Sequence, residues 1–364
     1  MAEAKIALAV VFGGRSGEHE VSCKSAASIL AHLDRGRYDV LPVKICRDGR
    51  WVVGEDAPEV FQRGGDEALA LLDSGFRSGR EAGVMSSMAA AVARLSTVDV
   101  VFPALHGPQG EDGTLQAVFE MAGTVFVGNG VLASALGMDK EFTKKVLASA
   151  GLAVADGVVL REATDDVTPA ERERLGLPVF VKPSRAGSSL GVSKVDDWDE
   201  LPAALALARA SDTKVLVEAS VPGREIDVGV LERPGGEIEA SPPLEILTTN
   251  DHGFFDYTAK YTDAQTVLDV PAKVDPAIVA RLHEEAARAF RALDCSGLLR
   301  VDFFVTPDGD TVVNEVNTFP GFTRASQYPA MWSAAGLEYG ALLDVLIDTA
   351  LWRAGLLAVT PDPV

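Results

Sequence analysis

Arg300-Val-Asp-Phe-Phe-Val-Thr-Pro-Asp-Gly-Asp-Thr-Val-Val-Asn-Glu-Val-Asn317 is two strand-like runs separated by a Pro-Asp-Gly-Asp turn. Asp308-Gly309 is a strong hairpin signal, because glycine tolerates the positive φ that such turns need. A turn symmetric about Asp308 and Gly309 sets Asp302 opposite Glu315 and Arg300 opposite Asn317. Strand side chains alternate with period two, so these four share one face, while Val301, Phe303, Val305, Val312 and Val316 form a candidate core face. A three-residue bulged turn would shift this register. One reading of the polar face is simple solvation. The other starts from the carboxylates: like charges directly opposed at ~5 Å destabilise a sheet unless a cation bridges them. Two carboxylates and an amide oxygen, without Cys or His, make a hard oxygen site suited to Mg²⁺ or Mn²⁺ held with nucleotide phosphates. Arg300 beside them suits the stabilisation of transferred phosphoryl charge.

Outward from the hairpin, Ile6–Phe12, Val98–Leu105 and Val125–Val127 read as buried parallel strands with helical periodicity between them. Residues 1–130 are therefore expected to form an open α/β domain. Strands at Val179–Lys182 and Lys214–Glu218, with a helix between Trp198 and Arg209, indicate a smaller α+β domain over 131–222. Residues 223–364 complete a third domain, which contains the hairpin and ends in an amphipathic packing helix within Gly336–Leu357. The polar, glycine-containing segment Gln62–Arg80 reads as surface structure of low order.

The chain has 364 residues, 47% of them hydrophobic, enough to bury a substantial core. A formal charge of −20 opposes a nucleic-acid partner, since affinity for polyanions comes from basic residues meeting phosphates. A bound nucleotide needs only a local basic pocket. Cys23, Cys46 and Cys295 are widely spaced without a metal-ligand pattern, which suits a reducing compartment. The N-terminal apolar run is too short to span a membrane and enters a glycine turn rather than a cleavage site, so a cytoplasmic protein without a membrane partner is expected.

In order along the chain stand GGRSGEHEVS (Gly13–Ser22), HGPQGEDGTLQ (His106–Gln116), MDK (Met138–Lys140), KPSRAGSSLG (Lys182–Gly191), FFDYTAKY (Phe254–Tyr261), RVDFF (Arg300–Phe304) and NEVNTFPGFT (Asn314–Thr323). This series resembles the D-alanine–D-alanine ligase family of ATP-grasp enzymes over nearly the whole chain. The resemblance implies a three-domain ATP-grasp fold, α/β and α+β, with an N-terminal open parallel-sheet (pre-ATP-grasp) domain. It implies ATP and two Mg²⁺ (or Mn²⁺) ions as cofactors, D-alanine as substrate, a homodimer, and a role in peptidoglycan precursor synthesis.

Each motif also has a reading of its own. Gly13-Gly14 follows the first strand and precedes a helix, where amides can approach a carboxylate or phosphate. Glu18 reads as a first-turn glutamate serving the helix dipole, whereas the resemblance implies that it binds the ammonium of the first D-alanine. Lys140 and Lys182 match lysines directed at ATP phosphates, and an ammonium on a flexible stem suits that task. The loop Ser184–Gly191, including Ser189, can fold over phosphates with backbone N–H groups and hydroxyls, or be a plain flexible turn. His106 reads equally well as a hydrogen-bonded histidine at a strand end; the resemblance sets it near the first D-alanine.

Further roles come from the resemblance alone. The backbone at Glu218, Ala219 and Val221 would read the adenine edge, and Glu225 would hold the ribose. Asp302, Glu315 and Asn317 would hold the metal ions. Arg300 and the Gly321 N–H would stabilise the acyl phosphate and tetrahedral intermediate. Ser188 and Tyr261, with Glu18, would link the lid to the first substrate, Ser326 would receive the carboxylate of the second, and Lys260 flanks the substrates. Ala259-Lys260-Tyr261 resembles the dipeptide-forming class. Phe319, Arg324 and Gln327 depart from the family's usual residues, which implies an acceptor pocket of altered polarity and makes D-alanyl-D-serine the alternative product. An ATP-binding regulatory protein without chemistry is a third reading, opposed by Arg300, Asp302, Glu315 and Asn317.

Overall fold

A computed structural model describes residues 4–76, 83–188, 190–247 and 267–358. Its strands fall into three sheets in chain order. The first contains β1 (Ile6–Gly13), β2 (Tyr38–Ile45), β3 (Trp51–Val53) and β4 (Val100–Ala104), arranged β3-β2-β1-β4. β1 is parallel to both β2 and β4, and β3 adds an antiparallel edge. The apolar runs read from the sequence supply this sheet, as two-sided burial of a parallel sheet requires. The expected strand at Val125–Val127 is reduced to one parallel bridge between Phe126 and Val101. Gln62–Arg80 departs further from expectation: helices occupy Pro58–Arg63 and Gly65–Ala70, and Phe61, Leu72 and Phe76 are buried in the core. Residues 77–80 lie outside the described residues.

The second sheet is antiparallel, with β5 (Gly157–Leu160), β6 (Val179–Pro183), β7 (Ser193–Val195) and β8 (Val215–Ala219) in the order β5-β8-β6-β7. Ala204, Leu205 and Ala208 of the helix Leu201–Arg209 recur at helical spacing and cover Val179, Val181 and Val217.

The third sheet holds β9 (Arg224–Glu232), β10 (Ile238–Ala240), β11 (Leu244–Leu247), β12 (Val267–Asp269), β13 (Leu298–Val305) and β14 (Thr311–Asn317). Its order is β12-β11-β9-β13-β14, with β10 on β9. One face is covered by the helix Pro276–Ala292, whose Leu282, Ala286, Ala289 and Phe290 pack on Ile226, Val228, Val301 and Phe303.

The β13–β14 turn is not the expected two-residue type. Thr306 N–H donates to Asp310 O at 2.9 Å and Gly309 N–H to Thr306 O at 2.9 Å. Three residues, Pro307 to Gly309, therefore form the loop, and Gly309 takes the left-handed φ of +83° that such a loop requires. The turn-proximal pairs are accordingly Phe303 with Val313, Phe304 with Val312 and Val305 with Thr311. A bulge then inserts Asn314, and the register beyond it returns to Asp302 with Glu315 and Arg300 with Asn317. The longer turn and the bulge cancel, so the polar face survives with the expected facing pairs. In the apolar half Val313, not Val312, enters the core.

The C-terminal helix, Tyr339–Arg353, buries one broad face at helical spacing, through Tyr339, Leu342, Leu343, Leu346, Ile347, Ala350 and Leu351, as expected of an amphipathic packing helix. Leu342, Leu343, Leu346 and Ile347 share a core with Leu30, Phe102 and Val127 of the first sheet's layer. Asn129 ties the same junction: its Nδ2 donates to Leu298 O (2.8 Å) and Thr318 O (2.7 Å), and its Oδ1 accepts from Ser296 N–H (2.9 Å). Among the described residues no single helix is long and apolar enough to cross a membrane.

Candidate active site

Three adjacent strands of the third sheet bring three carboxylates into one row. Asp302 on β13 is in register with Asp227 on β9 and with Glu315 on β14. Such a row stands only if cations divide it. Arg300 Nε and Nη2 each donate to Asp302 at 2.7 Å, one to each carboxylate oxygen. Its Nε is also 3.5 Å from Asp227 Oδ2, and Nη1 donates to Gln327 Oε1 at 2.9 Å. Asn317 Nδ2 donates to Asp302 Oδ2 at 3.0 Å, and Lys140 Nζ lies 3.2 Å from Glu315 Oε2. Burial opposes the Arg300 charge, but Asp302 and then Asp227 more than offset this and hold its pKa above the ordinary value.

This row floors a cavity of about 340 Å³ between the second and third sheets. Lys140, Lys182, Glu218, Ala219, Val221 and Glu225 line it together with Arg300, Asp302 and Glu315. Phe180, Ile246, Phe303 and Phe304 give it apolar walls, the usual composition of a small-molecule site with a few placed polar groups. Lys182 Nζ is 2.5 Å from Glu218 Oε2 and donates to Asn314 Oδ1 at 3.4 Å. Lys144 Nζ approaches the other Glu218 oxygen at 2.8 Å. Burial disfavours ionised Glu218, yet Lys144 and Lys182 hold it below the usual carboxylate range. Burial pushes the Lys144 ammonium down to about 8 despite Glu218. The donors suit a nucleotide and a divalent cation: Asp302 and Glu315 put hard oxygens on the cavity wall with ammonium groups across from them, while Asn317 stands behind, bonded to Asp302, and does not line the cavity. Arg300 and Lys140 already mark the Asp302 and Glu315 oxygens as cation positions.

Glu18 stands apart from this row at the end of β1. It precedes the helix His19–His32 at the capping position but makes no side-chain cap; its carboxylate accepts instead from the Ser188 hydroxyl. Ser188 holds a left-handed φ of +53°, uncommon for a non-glycine residue and frequent at functional loops. Beneath Glu18, Gly107 has φ +73°, and a Cβ there would come 2.3 Å from Glu18 Oε2. Glu111 Oε1 accepts from Gly107 N–H at 3.0 Å. Burial and then Glu18 push the Glu111 carboxyl up to about 8. Lys140 Nζ, paired with Glu315, also donates to Ala186 O at 3.0 Å, so one side chain joins the lid loop to the metal-type floor.

Some expectations are redirected. The Gly13 and Gly14 amides are committed within the fold, to Ser22 Oγ (2.7 Å) and Ile45 O (2.7 Å), and do not face a ligand. His106 is 4% exposed with both ring nitrogens engaged, Nε2 with Ser25 Oγ (2.9 Å) and Nδ1 with Phe319 O (3.1 Å). Ser326 Oγ accepts from Thr323 N–H at 3.0 Å and would be 3.4 Å from a Cβ on Gly321, placing these two residues together. Phe319 belongs to an aromatic core with Phe102 and Phe322, and Arg324 is exposed. Gln327 lines the cavity, with its Nε2 donating to Asp227 Oδ2 at 3.0 Å. The three departures thus do not converge on one acceptor pocket. Ser189, Lys260 and Tyr261 lie outside the described residues.

Sequence reasoning missed Asp227, Lys144 and Glu111. Asp227 follows Glu225 by two on one strand and therefore shares its face; Lys144 follows Lys140 by one helical turn. Glu111 was inside a quoted motif without a role.

Family models match both halves of the chain: D-ala D-ala ligase N-terminus over residues 7–129 and D-ala D-ala ligase C-terminus over residues 146–348. A curated D-alanine–D-alanine ligase of Nocardia farcinica is 54% identical, covering 96% of this chain and 98% of its own length. Among solved structures, the VanG D-Ala:D-Ser ligase from Enterococcus faecalis is 37% identical with a TM-score of 0.80, over 95% of this chain and 100% of that one. The D-alanine–D-alanine ligase from Coxiella burnetii is 33% identical, also with a TM-score of 0.80, over 96% of this chain and 95% of that one.

Proposed function

Since this chain belongs to the D-alanine–D-alanine ligase family, we propose that its cavity and Glu18 pocket are the two halves of one active site. The enzyme is an ATP-dependent ligase that joins two D-alanines to D-alanyl-D-alanine for peptidoglycan synthesis. The observation that carries the assignment of residues is the convergence of Lys140, Lys182, Glu225, Arg300, Asp302 and Glu315 on one cavity.

ATP lies in that cavity with its phosphates toward Lys140 and Lys182, its ribose at Glu225 and its adenine against the backbone of Glu218, Ala219 and Val221. Asp302, Glu315 and Asn317 would hold two Mg²⁺ ions, replaceable by Mn²⁺, and when bound these would supply positive charge that offsets the phosphate charge. A carboxylate oxygen of the first D-alanine, its ammonium at Glu18 and near His106, attacks the γ-phosphorus. The bond to ADP breaks and an acyl phosphate forms. The amine of the second D-alanine, its carboxylate at Ser326, attacks the acyl carbon; phosphate leaves and the amine gives up a proton. Arg300 and the Gly321 N–H stabilise the charge that develops in both steps. The Ser188–Glu18 contact, with Tyr261, links the lid to the first substrate and excludes water from the acyl phosphate, while Ser189 binds the nucleotide and Lys260 the substrates. A homodimer and a cytoplasmic location complete the proposal.

ADP release measured with D-alanine, D-serine, D-lactate and glycine as acceptors tests the reading. D-Alanine is expected to support the fastest turnover; absence of D-alanine-dependent ADP release would overturn it.

A further inference from the structure

We propose that Gln327 is a positioning residue that keeps the Arg300 guanidinium in place when a divalent cation takes the Asp302 oxygens. The inference rests on the metal role of Asp302 given above. Both Asp302 oxygens are engaged by Arg300, and Oδ2 accepts from Asn317 as well. A cation arriving at Asp302 competes for these lone pairs and weakens two of the guanidinium's contacts together. Outside that competition stand the Nη1 hydrogen bond to Gln327 Oε1, at 2.9 Å, and the longer 3.5 Å ion pair of Nε with Asp227 Oδ2.

Gln327 is built to retain it. An amide has one oxygen and one NH₂, and a flip exchanges acceptor for donors. Here the flip is blocked chemically, because Nε2 donates to the Asp227 carboxylate at 3.0 Å while Oε1 accepts from Arg300. Turning the amide over would aim NH₂ at a guanidinium and oxygen at a carboxylate. Asp227 is 1% exposed and lies 3.5 Å from Arg300 Nε, so the carboxylate that orients Gln327 also attracts the guanidinium. The backbone carrying Gln327 is also firm: it opens the helix Gln327–Ala334, anchored by buried Tyr328, whose hydroxyl donates to Val230 O at 2.8 Å. Arg300 thus has a catch on the side away from Asp302. Without it, the guanidinium leans more heavily on Asp302, with only the longer Asp227 ion pair beside it, and yields less readily to metal.

Mn²⁺ binding to the whole enzyme with a non-hydrolysable ATP analogue, followed by electron paramagnetic resonance, tests this beside steady-state kinetics and thermal melting. In Gln327→Met, Mn²⁺ affinity is expected to fall about three- to tenfold and kcat about 10- to 100-fold, with KM for ATP within about twofold. A residue that merely starts a helix would lower the melting temperature and leave Mn²⁺ affinity alone. Gln327→Glu keeps the acceptor for Arg300 but opposes Asp227 with a second carboxylate, so it is also impaired. The double variant Asp227→Asn/Gln327→Glu reverses donor and acceptor and recovers part of the lost Mn²⁺ affinity. Unchanged Mn²⁺ affinity and kcat in both single variants, with Asp302→Asn impaired in Mn²⁺ binding, overturns the role of Gln327 and leaves the metal reading standing. Undiminished Mn²⁺ binding in Asp302→Asn overturns the metal reading and this inference with it.

Discussion

Two groups of carboxylates meet the substrate space, and they are neutralised by different means. On the third sheet, Asp227, Asp302 and Glu315 are matched by fixed cations of the same chain, Arg300 and Lys140. Glu18 and Glu111 both approach Gly107, and among the described residues neither forms a salt bridge with a lysine or arginine, although Arg300 and Lys140 weakly favour ionised Glu111. Glu111 instead keeps its proton toward neutral pH, because burial and then Glu18 push its carboxyl up to about 8. A carboxylate row divided by built-in cations can exchange partners with an incoming metal at little cost in net charge. A buried Glu111 carboxyl that can release its proton beside Glu18 suits an incoming ammonium. The contrast supports the proposal that the metal would sit at one end of the site and the amino-acid amine at the other.

The largest effect is expected where the first arrangement is broken. Glu315→Ala removes one of two facing carboxylates and leaves Lys140 without its 3.2 Å partner. Loss of charge stabilisation at a phosphoryl-transfer centre lowers kcat by about 10³-fold; ADP release at the parental rate would show that Glu315 holds no metal. The Glu18 pocket is expected to respond differently. Glu18→Gln keeps the size and the oxygen that accepts from Ser188 but removes the charge that attracts an ammonium. KM for the first D-alanine rises about 10²-fold while KM for ATP stays within about twofold. A uniform loss in kcat without this split would move Glu18 out of the substrate site.

The two groups were not equally legible in the sequence. The hairpin was readable because strand alternation with period two is a local rule, and Arg300, Asp302, Glu315 and Asn317 obey it. Even there the turn type was misread, and the facing pairs held only because the bulge at Asn314 restores what the three-residue turn displaces. No local signal marks Asn314 as the inserted residue. Glu18 and Ser188 meet across a sequence separation of 170, so resemblance to a family supplied that contact and spacing did not. Between Gln62 and Gly75, abundant polar residues concealed Leu72, which with neighbouring Phe61 and Phe76 anchors the segment in the core. Glu111 and Lys144 were invisible for a further reason: their altered proton affinities arise from burial and from charges on distant elements, which composition and periodicity do not encode.

The smallest expected effect is the most specific to the Glu18–Glu111 pair. Burial, then repulsion from Glu18, raises Glu111 from its ordinary 4.5 to about 8 in the folded chain. Between those values the folded protein keeps a proton that the unfolded chain has released. The resulting stability is fully present below about 4.5 and is lost as pH rises through about 8. Glu111→Gln abolishes this titration, so melting temperatures of parent and variant diverge between about pH 4.5 and about pH 8, the parent losing more. Saturating D-alanine without ATP brings an ammonium to the pair, favours the ionised carboxyl and flattens the parental slope. The variant's slope does not respond. A parent–variant difference independent of pH, or a parental slope that D-alanine leaves unchanged, would remove the retained proton as the means by which this end of the site awaits its amine.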